Sequence, residues 1–284
     1  MLKAILHGKA GRISDGTNHS VSWSRLFNTR EDLLTSTFFE RFAYLSASVQ
    51  AVLIQHWFQK VKTVTNTSHL LSNLGGFEGI DYWPHYPLAN DVNRTFVEPD
   101  LLLRFSQANI LVEVKPPNGG DQYEQQWRNE IIGFTESSEE PDKAFYFLAI
   151  GRNHRIDFEA CSAHFLTLFQ PWLHGIAAIE WQFVADKLVH LRQHDVELYN
   201  SQDLRILDDM IQALKFYGLI TSEFTWPTLL SHTLPLLTLN QPPLSQHSLP
   251  SQTLRPFSPL NTWQKKYPLQ NLQNSPLIYW QRAF

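Results

Sequence analysis

Three side chains in the stretch "VEPDLLLRFSQANILVEVKPPNGGDQYEQQW", residues 97–127, could do chemistry together: Asp100, Glu113 and Lys115. The runs "DLLLRF" and "NILVEVK" read as the arms of an antiparallel hairpin that turns at Gln107-Ala108. In that register Leu101 faces Val114, Leu103 faces Val112 and Phe105 faces Ile110, and these six form one apolar face. The other face carries Asp100, Leu102, Arg104, Leu111, Glu113 and Lys115. Asp100 then lies directly across from Lys115, with Glu113 on the diagonal. A one-residue slip would put polar residues into the apolar face, so the pattern argues for this pairing.

Two adjacent carboxylates repel each other unless a cation sits between them. Lys115 supplies one positive charge. A hard divalent ion, Mg²⁺ with Mn²⁺ as a substitute, is the expected second, with the Val114 carbonyl pointing near the same place. An ion held there supplies an activated water and neutralises charge on a phosphate, which is a layout for phosphodiester hydrolysis. Lys115 is expected to orient or help deprotonate that water and to stabilise the transition state. The same residues also allow a plainer reading, a cross-strand Asp100–Lys115 ion pair, which leaves Glu113 without a partner.

The flanking elements must hold this hairpin. "TREDLLTSTFFERFAYL" opens with Thr29 and has Asp32 three residues later, like a capping box, and Leu34, Phe38, Phe42 and Leu45 recur at helical spacing. A second helix, "VQAVLIQHWFQK", is expected from a cap at Ser46 or Ser48, and Gly75-Gly76 breaks the chain before a strand-and-loop stretch. After the hairpin, Gly119-Gly120-Asp121 reads as the start of a helix through "QYEQQWRNEIIGF". "TESSEEPD" reads as a loop, "KAFYFLAI" as a buried strand, "FEACSAHFLTLF" as a helix and "IAAIEWQFV" as a strand. "DLRILDDMIQALKFYGL" is a helix ending at Gly218. Residues 1–28 read as irregular.

On these residues the chain resembles the PD-(D/E)XK nuclease superfamily. Pro99-Asp100 matches the first element of its motif and Glu113-Val114-Lys115 the second. The resemblance spans residues 30–150 and implies an α/β, restriction-endonuclease-like core with a central mixed β-sheet flanked by helices. It further implies a glutamate from the first helix in the metal site, best matched by Glu40. A polar residue from the helix after the second motif element is also implied, best matched by Gln122, with Gln126 one turn on. The implied activity is metal-dependent DNA cleavage, and phage defence or a mobile element is the setting that similar stand-alone nucleases suggest. Two other readings stay open: an inactive nuclease-fold subunit that binds DNA or a partner protein, and a structural adaptor whose hairpin charges are incidental.

Composition bounds these readings. The formal net charge is −4, which does not point to a general nucleic-acid coat protein but leaves room for DNA binding through a local basic cleft or a partner subunit. Cys161 is the lone cysteine, which points to a reducing, cytoplasmic compartment. No signal-peptide core is read, and no run reaches the ~18 apolar residues of a membrane span. His154, His164 and His174 match no ligand spacing, and Cys161 sits in an apolar helix as a core residue.

Residues 1–225 are expected to form the nuclease-like domain. Residues 226–284 are rich in proline with persistent Leu, Phe, Trp and Tyr. That segment is expected to lie extended on its own domain or on a protein partner, a second copy included, with Phe257, Trp263, Tyr279 and Trp280 as anchors. A solvated linker is the alternative.

Overall fold

Alternating and fully apolar strands build the centre of the molecule. The computed structural model describes residues 2–14, 20–27, 30–59, 62–63, 74–88, 95–138, 140 and 143–221. The chain opens with α1 (Leu2–Leu6), β1 (Arg12–Ser14), β2 (Ser20–Ser22), α2 (Trp23–Phe27), α3 (Glu31–Tyr44) and α4 (Ala47–Trp57). Then come β3 (Lys62–Thr63), β4 (Phe77–Tyr82), β5 (Tyr86–Pro87), β6 (Phe96–Val97), β7 (Leu101–Phe105) and β8 (Ala108–Val114). The order continues with α5 (Glu124–Ser137), β9 (Ala144–Ile150), α6 (Phe158–Leu168), β10 (Leu173–Ile179), α7 (Trp181–His194) and α8 (Ser201–Phe216).

The architecture is α/β, with a central mixed sheet in the order β3-β10-β9-β8-β7-β4. β8, β9 and β10 run parallel, whereas β7 and β4 continue the sheet antiparallel. Helices cover both faces. α3, α4, α7 and α8 pack on the face formed by Leu101, Leu103, Phe105, Ile110, Val112, Val114, Leu148 and Ile150. α5 and α6 pack on the other, formed by Leu102, Leu111, Phe145, Phe147 and Ala149. With both faces covered, the parallel strands are continuously apolar rather than alternating.

The hairpin keeps the expected faces but not the expected register. Leu101 pairs with Val112, Leu102 with Leu111, Leu103 with Ile110 and Arg104 with Asn109, and the turn falls at Ser106-Gln107. This is a slip of two residues. Such a slip returns every side chain to its original face, so alternation cannot detect it. Contacts with the preceding loop hold the turn: the Ser106 N–H donates to the Gly76 carbonyl at 2.8 Å and the Gln107 N–H to that of Leu74 at 3.0 Å.

Several expected boundaries move. Thr29 lies outside the described residues, and α3 instead starts after Arg30, which makes no side-chain cap. Ser46 precedes α4, but its hydroxyl donates to Asp203 at 2.8 Å and ties the α3–α4 corner to α8. α5 begins at Glu124, three residues past Asp121, and runs to Ser137 into the stretch read as a loop. "IAAIEWQFV" divides: its first half ends β10, and Trp181 opens a long helix with Trp181, Val184, Ala185, Leu188 and Leu191 buried. The region read as irregular contains two short helices and the β1–β2 hairpin. The proline-rich segment with its anchors Phe257, Trp263, Tyr279 and Trp280 lies outside the described residues.

Candidate metal centre

The site forms at the end of the sheet where β7 begins and β8 and β9 finish. Residue Asp100 precedes β7, and its buried carboxylate accepts a 2.7 Å hydrogen bond from the Val114 N–H. Glu113, at the end of β8, is almost completely buried. Extending the observed register by one residue sets Asp100 across from Glu113 rather than across from Lys115, as the expected register had it. Lys115 reaches back instead: its ammonium donates to the Glu113 carboxylate, to Glu31 at 3.2 Å and to the Val114 carbonyl at 3.2 Å. The Val114 carbonyl, expected beside the metal, accepts from the Lys115 ammonium here.

Glu31, the first residue of α3, completes the group, and ligand oxygens of Glu31, Asp100 and Glu113 all lie within 4.8 Å of one another. The α3 glutamate that joins the carboxylate cluster is Glu31, not the expected Glu40. Nine residues separate the two on α3, roughly two and a half turns, which turns Glu40 to the opposite side and about 13 Å along the axis. Glu40 is accordingly exposed. The sequence does hold a signal for Glu31. It extends the buried stripe of Leu34, Phe38 and Phe42 by one turn, whereas Glu40 falls on the solvent side.

Gln122 is near the site but does not point into it. It is fully buried, its amide donates to the carbonyls of Glu113 at 3.3 Å and Ile150 at 3.2 Å, and its oxygen accepts from Trp127 Nε1 at 2.8 Å. It joins the ends of β8 and β9. Gln126, one turn on, donates directly to the Glu113 carboxylate. Sequence reasoning did not single out Glu130, which is buried on α5 with Trp127 and Ile131 and shares a hydrogen bond with Glu113. One oxygen of Glu130 is buried with no hydrogen-bond partner among the described residues.

The Lys115 backbone is fixed from three sides. Its N–H donates to the Ile150 carbonyl at 2.8 Å, and its carbonyl accepts from Trp181 Nε1 at 2.9 Å. Gly151, at φ +131°, packs so closely that a Cβ there would overlap the Lys115 carbonyl oxygen and lie 2.9 Å from its Cβ. The end of α8 holds the loops on either side, because the Tyr217 hydroxyl donates to the Arg30 carbonyl at 3.4 Å and Asn118 donates to the Tyr217 carbonyl at 2.9 Å.

The electrostatics are those of an over-acidic centre. Burial, then repulsion from Glu113 and Glu31, pushes the Asp100 carboxyl well above its ordinary range. Burial, then Glu130, does the same to Glu113, and burial raises Glu31 against the pull of Lys115. Glu130 is pushed up to about 7, mainly by burial. Burial works against the Lys115 charge, but Glu113, Glu31 and Asp100 outweigh it and leave the ammonium more firmly protonated than usual. Three carboxylates whose oxygens lie within 4.8 Å of one another, with one ammonium bonded to two of them, leave a deficit of positive charge. A divalent cation with oxygen ligands fits that deficit and that donor set. Glu31, Asp100 and Glu113 are the residues that would hold it.

Arginines lie beside the same end of the sheet. Asp121 binds Arg152 Nε at 3.3 Å and Arg155 Nε at 3.0 Å, and the Gln122 N–H donates to the Arg152 carbonyl at 2.8 Å. The loops after β8 and β9 are thereby stitched together with two partly exposed guanidiniums on them. The cysteine reading agrees with the packing: Cys161 is free and buried. Among the described residues, no helix is long and apolar enough to cross a membrane.

No family model matches the chain. It is similar to an uncharacterized protein of Pasteurella multocida (strain Pm70), 32% identical over 142 residues that make up 49% of this chain and 48% of the relative. The chain thus spans about half the length of the curated relative it matches. A solved protein of unknown function, AF1548, shares 10% identity over 61% of this chain and 95% of its own, with a TM-score of 0.25.

Proposed function

We propose that the protein is a metal-dependent DNA endonuclease with a restriction-endonuclease-like core of the PD-(D/E)XK kind. One observation carries the reading: Glu31, Asp100 and Glu113 converge with Lys115 at one end of the sheet. Mg²⁺, or Mn²⁺ in its place, would supply a nucleophilic water and a counter-charge for the phosphate. The chain's own residues do the rest. Val114 N–H and Gln126 orient the Asp100 and Glu113 carboxylates. Lys115, held as an ammonium by its acidic neighbours, offers a hydrogen-bond donor and a positive charge to the phosphoryl oxygens as negative charge builds on them. Arg152 and Arg155 present charge to the flanking backbone phosphates. A cytoplasmic site of action agrees with a lone, unpaired cysteine.

Plasmid cleavage tests the reading. The wild type with Mg²⁺ or Mn²⁺ nicks or linearises supercoiled DNA, and a chelator stops it. Lys115→Ala slows cleavage roughly 10²–10³-fold, the size of one missing charge interaction in the transition state. Intact plasmid in both metals, or a Lys115→Ala variant as fast as wild type, would defeat the proposal. A second reading is an inactive nuclease-fold subunit that binds DNA or a partner protein in a larger complex, and the net charge of −4 favours its protein-partner form. That reading expects DNA or partner binding with no cleavage.

A further inference from the structure

We propose that Trp83 is a stacking platform for an unpaired base of the DNA strand entering the carboxylate site, an assignment that rests on the nuclease reading. Trp83 follows β4 directly, and its N–H donates to the Asp100 carbonyl at 3.0 Å. It is therefore one backbone hydrogen bond from a residue of the metal centre.

Its conformation is unusual. Trp83 has φ +47° and is the one non-glycine residue with positive φ among those described. A bulky aromatic is disfavoured there, and Pro84 after it restricts the backbone further. Strain of this kind persists where surrounding structure enforces it, and it gathers at binding sites. Core packing does not account for it: the residue is 37% exposed, whereas Trp57 and Trp127 are fully buried. The indole leans on Tyr82, with centroids 5.6 Å apart and planes tilted by 45°. Its neighbour Asp81 is paired with Arg104 at 3.2 Å, which offsets an acidic charge that would repel phosphates.

The strained turn thus holds an aromatic face out at the rim on the β4 side of Asp100, while Arg152 and Arg155 stand on the β9 side. A nucleobase is the ligand such a face takes without regard to sequence, since every base has a π-surface. The backbone of the same strand would run between the two flanks.

The test uses the full chain and a fluorescein-labelled single-stranded DNA oligonucleotide, with binding followed by anisotropy in Ca²⁺. Trp83→Gly binds about tenfold more weakly, as expected for the removal of one stack, and Trp83→Phe stays near wild type. Glycine accepts positive φ, so Trp83→Gly melts at or above the wild-type temperature, which a structural tryptophan would not allow. Moving one abasic site along the oligonucleotide finds a position that costs the wild type the same factor and costs Trp83→Gly nothing. Wild-type binding by Trp83→Gly, or a loss independent of abasic position, overturns the platform. Plasmid cleavage by the wild type decides the nuclease reading separately. A wild type that binds no oligonucleotide and cleaves no plasmid overturns both.

Discussion

The Glu31 carboxylate accepts a 3.2 Å hydrogen bond from the Lys115 ammonium across 84 residues of chain. That link joins the first turn of α3 to the end of β8 and makes the helix part of the site. Metal binding should therefore depend on Glu31 and not on Glu40. Glu31→Gln is expected to weaken Mn²⁺ binding at least tenfold by calorimetry, with Glu40→Gln unchanged. The reverse order would move the third ligand back to Glu40.

Gly151 tests whether the Lys115 backbone must stay where it is. Gly151→Ala forces a Cβ onto the Lys115 carbonyl at a φ that disfavours alanine. A loss of about 1–3 kcal/mol is expected in urea unfolding, together with slower plasmid cleavage. Full activity with full stability would mean that the loop after β9 yields freely.

Glu130 sets a pH dependence. Burial raises its carboxyl from an ordinary 4.5 to about 7, so the folded state binds this proton more tightly than the unfolded chain does. Its contribution is fully present below the unfolded value and is lost as pH rises through the folded one. Metal-free protein should lose stability between roughly pH 4.5 and 7 by something on the order of 3 kcal/mol from this group. Asp100, Glu113 and Glu31 are also raised and act in the same direction. Glu130→Gln should give a visibly shallower fall in melting temperature with pH. Parallel curves would remove Glu130 as a source of the slope.

Arg152 and Arg155 are tested by salt. If both meet phosphates of duplex DNA, replacing both with alanine reduces the slope of log affinity against log salt by about 0.9 for each phosphate no longer neutralised. Mn²⁺ binding should be unchanged, because neither touches the three carboxylates. An unchanged salt slope would confine the arginines to their pairing with Asp121.

Much of the fold was legible because its strands and helices bury regular faces. Leu101, Leu103, Phe105, Ile110, Val112 and Val114 do share one face, as alternation predicts. What alternation could not carry was the two-residue slip, since only the contacts of Ser106 and Gln107 with residues 74–76 select the turn. Trp181 was read into a strand because "IAAIEWQFV" is mostly apolar and its polar residues, Glu180 and Gln182, alternate with Trp181 and Phe183 as they would on a strand. The change of period after Ile179 becomes visible only over the longer window in which Val184, Leu188 and Leu191 recur. At the site, Asp100, Glu113 and Lys115 were legible as a local motif. Glu31 and Glu130 were not singled out: their place on a buried helical stripe is visible in the spacing, but a carboxylate there looks like an error of pattern until its distant partners are known. Gln122 was read as site-facing, yet its donors and acceptor are satisfied by the backbone and Trp127.

That last arrangement separates two inheritances within the chain. The seam between β8 and β9 is closed by neutral groups, the Gln122 amide and the Trp127 indole, and by the Lys115 main chain rather than its side chain. None of the charged groups is needed to close it. A descendant could therefore lose the ammonium of Lys115, or exchange a carboxylate for an amide, and still fold around the same seam. On the nuclease proposal, catalysis would be a removable layer on a durable scaffold, and a single codon change at Lys115 would leave a silent nuclease-fold subunit.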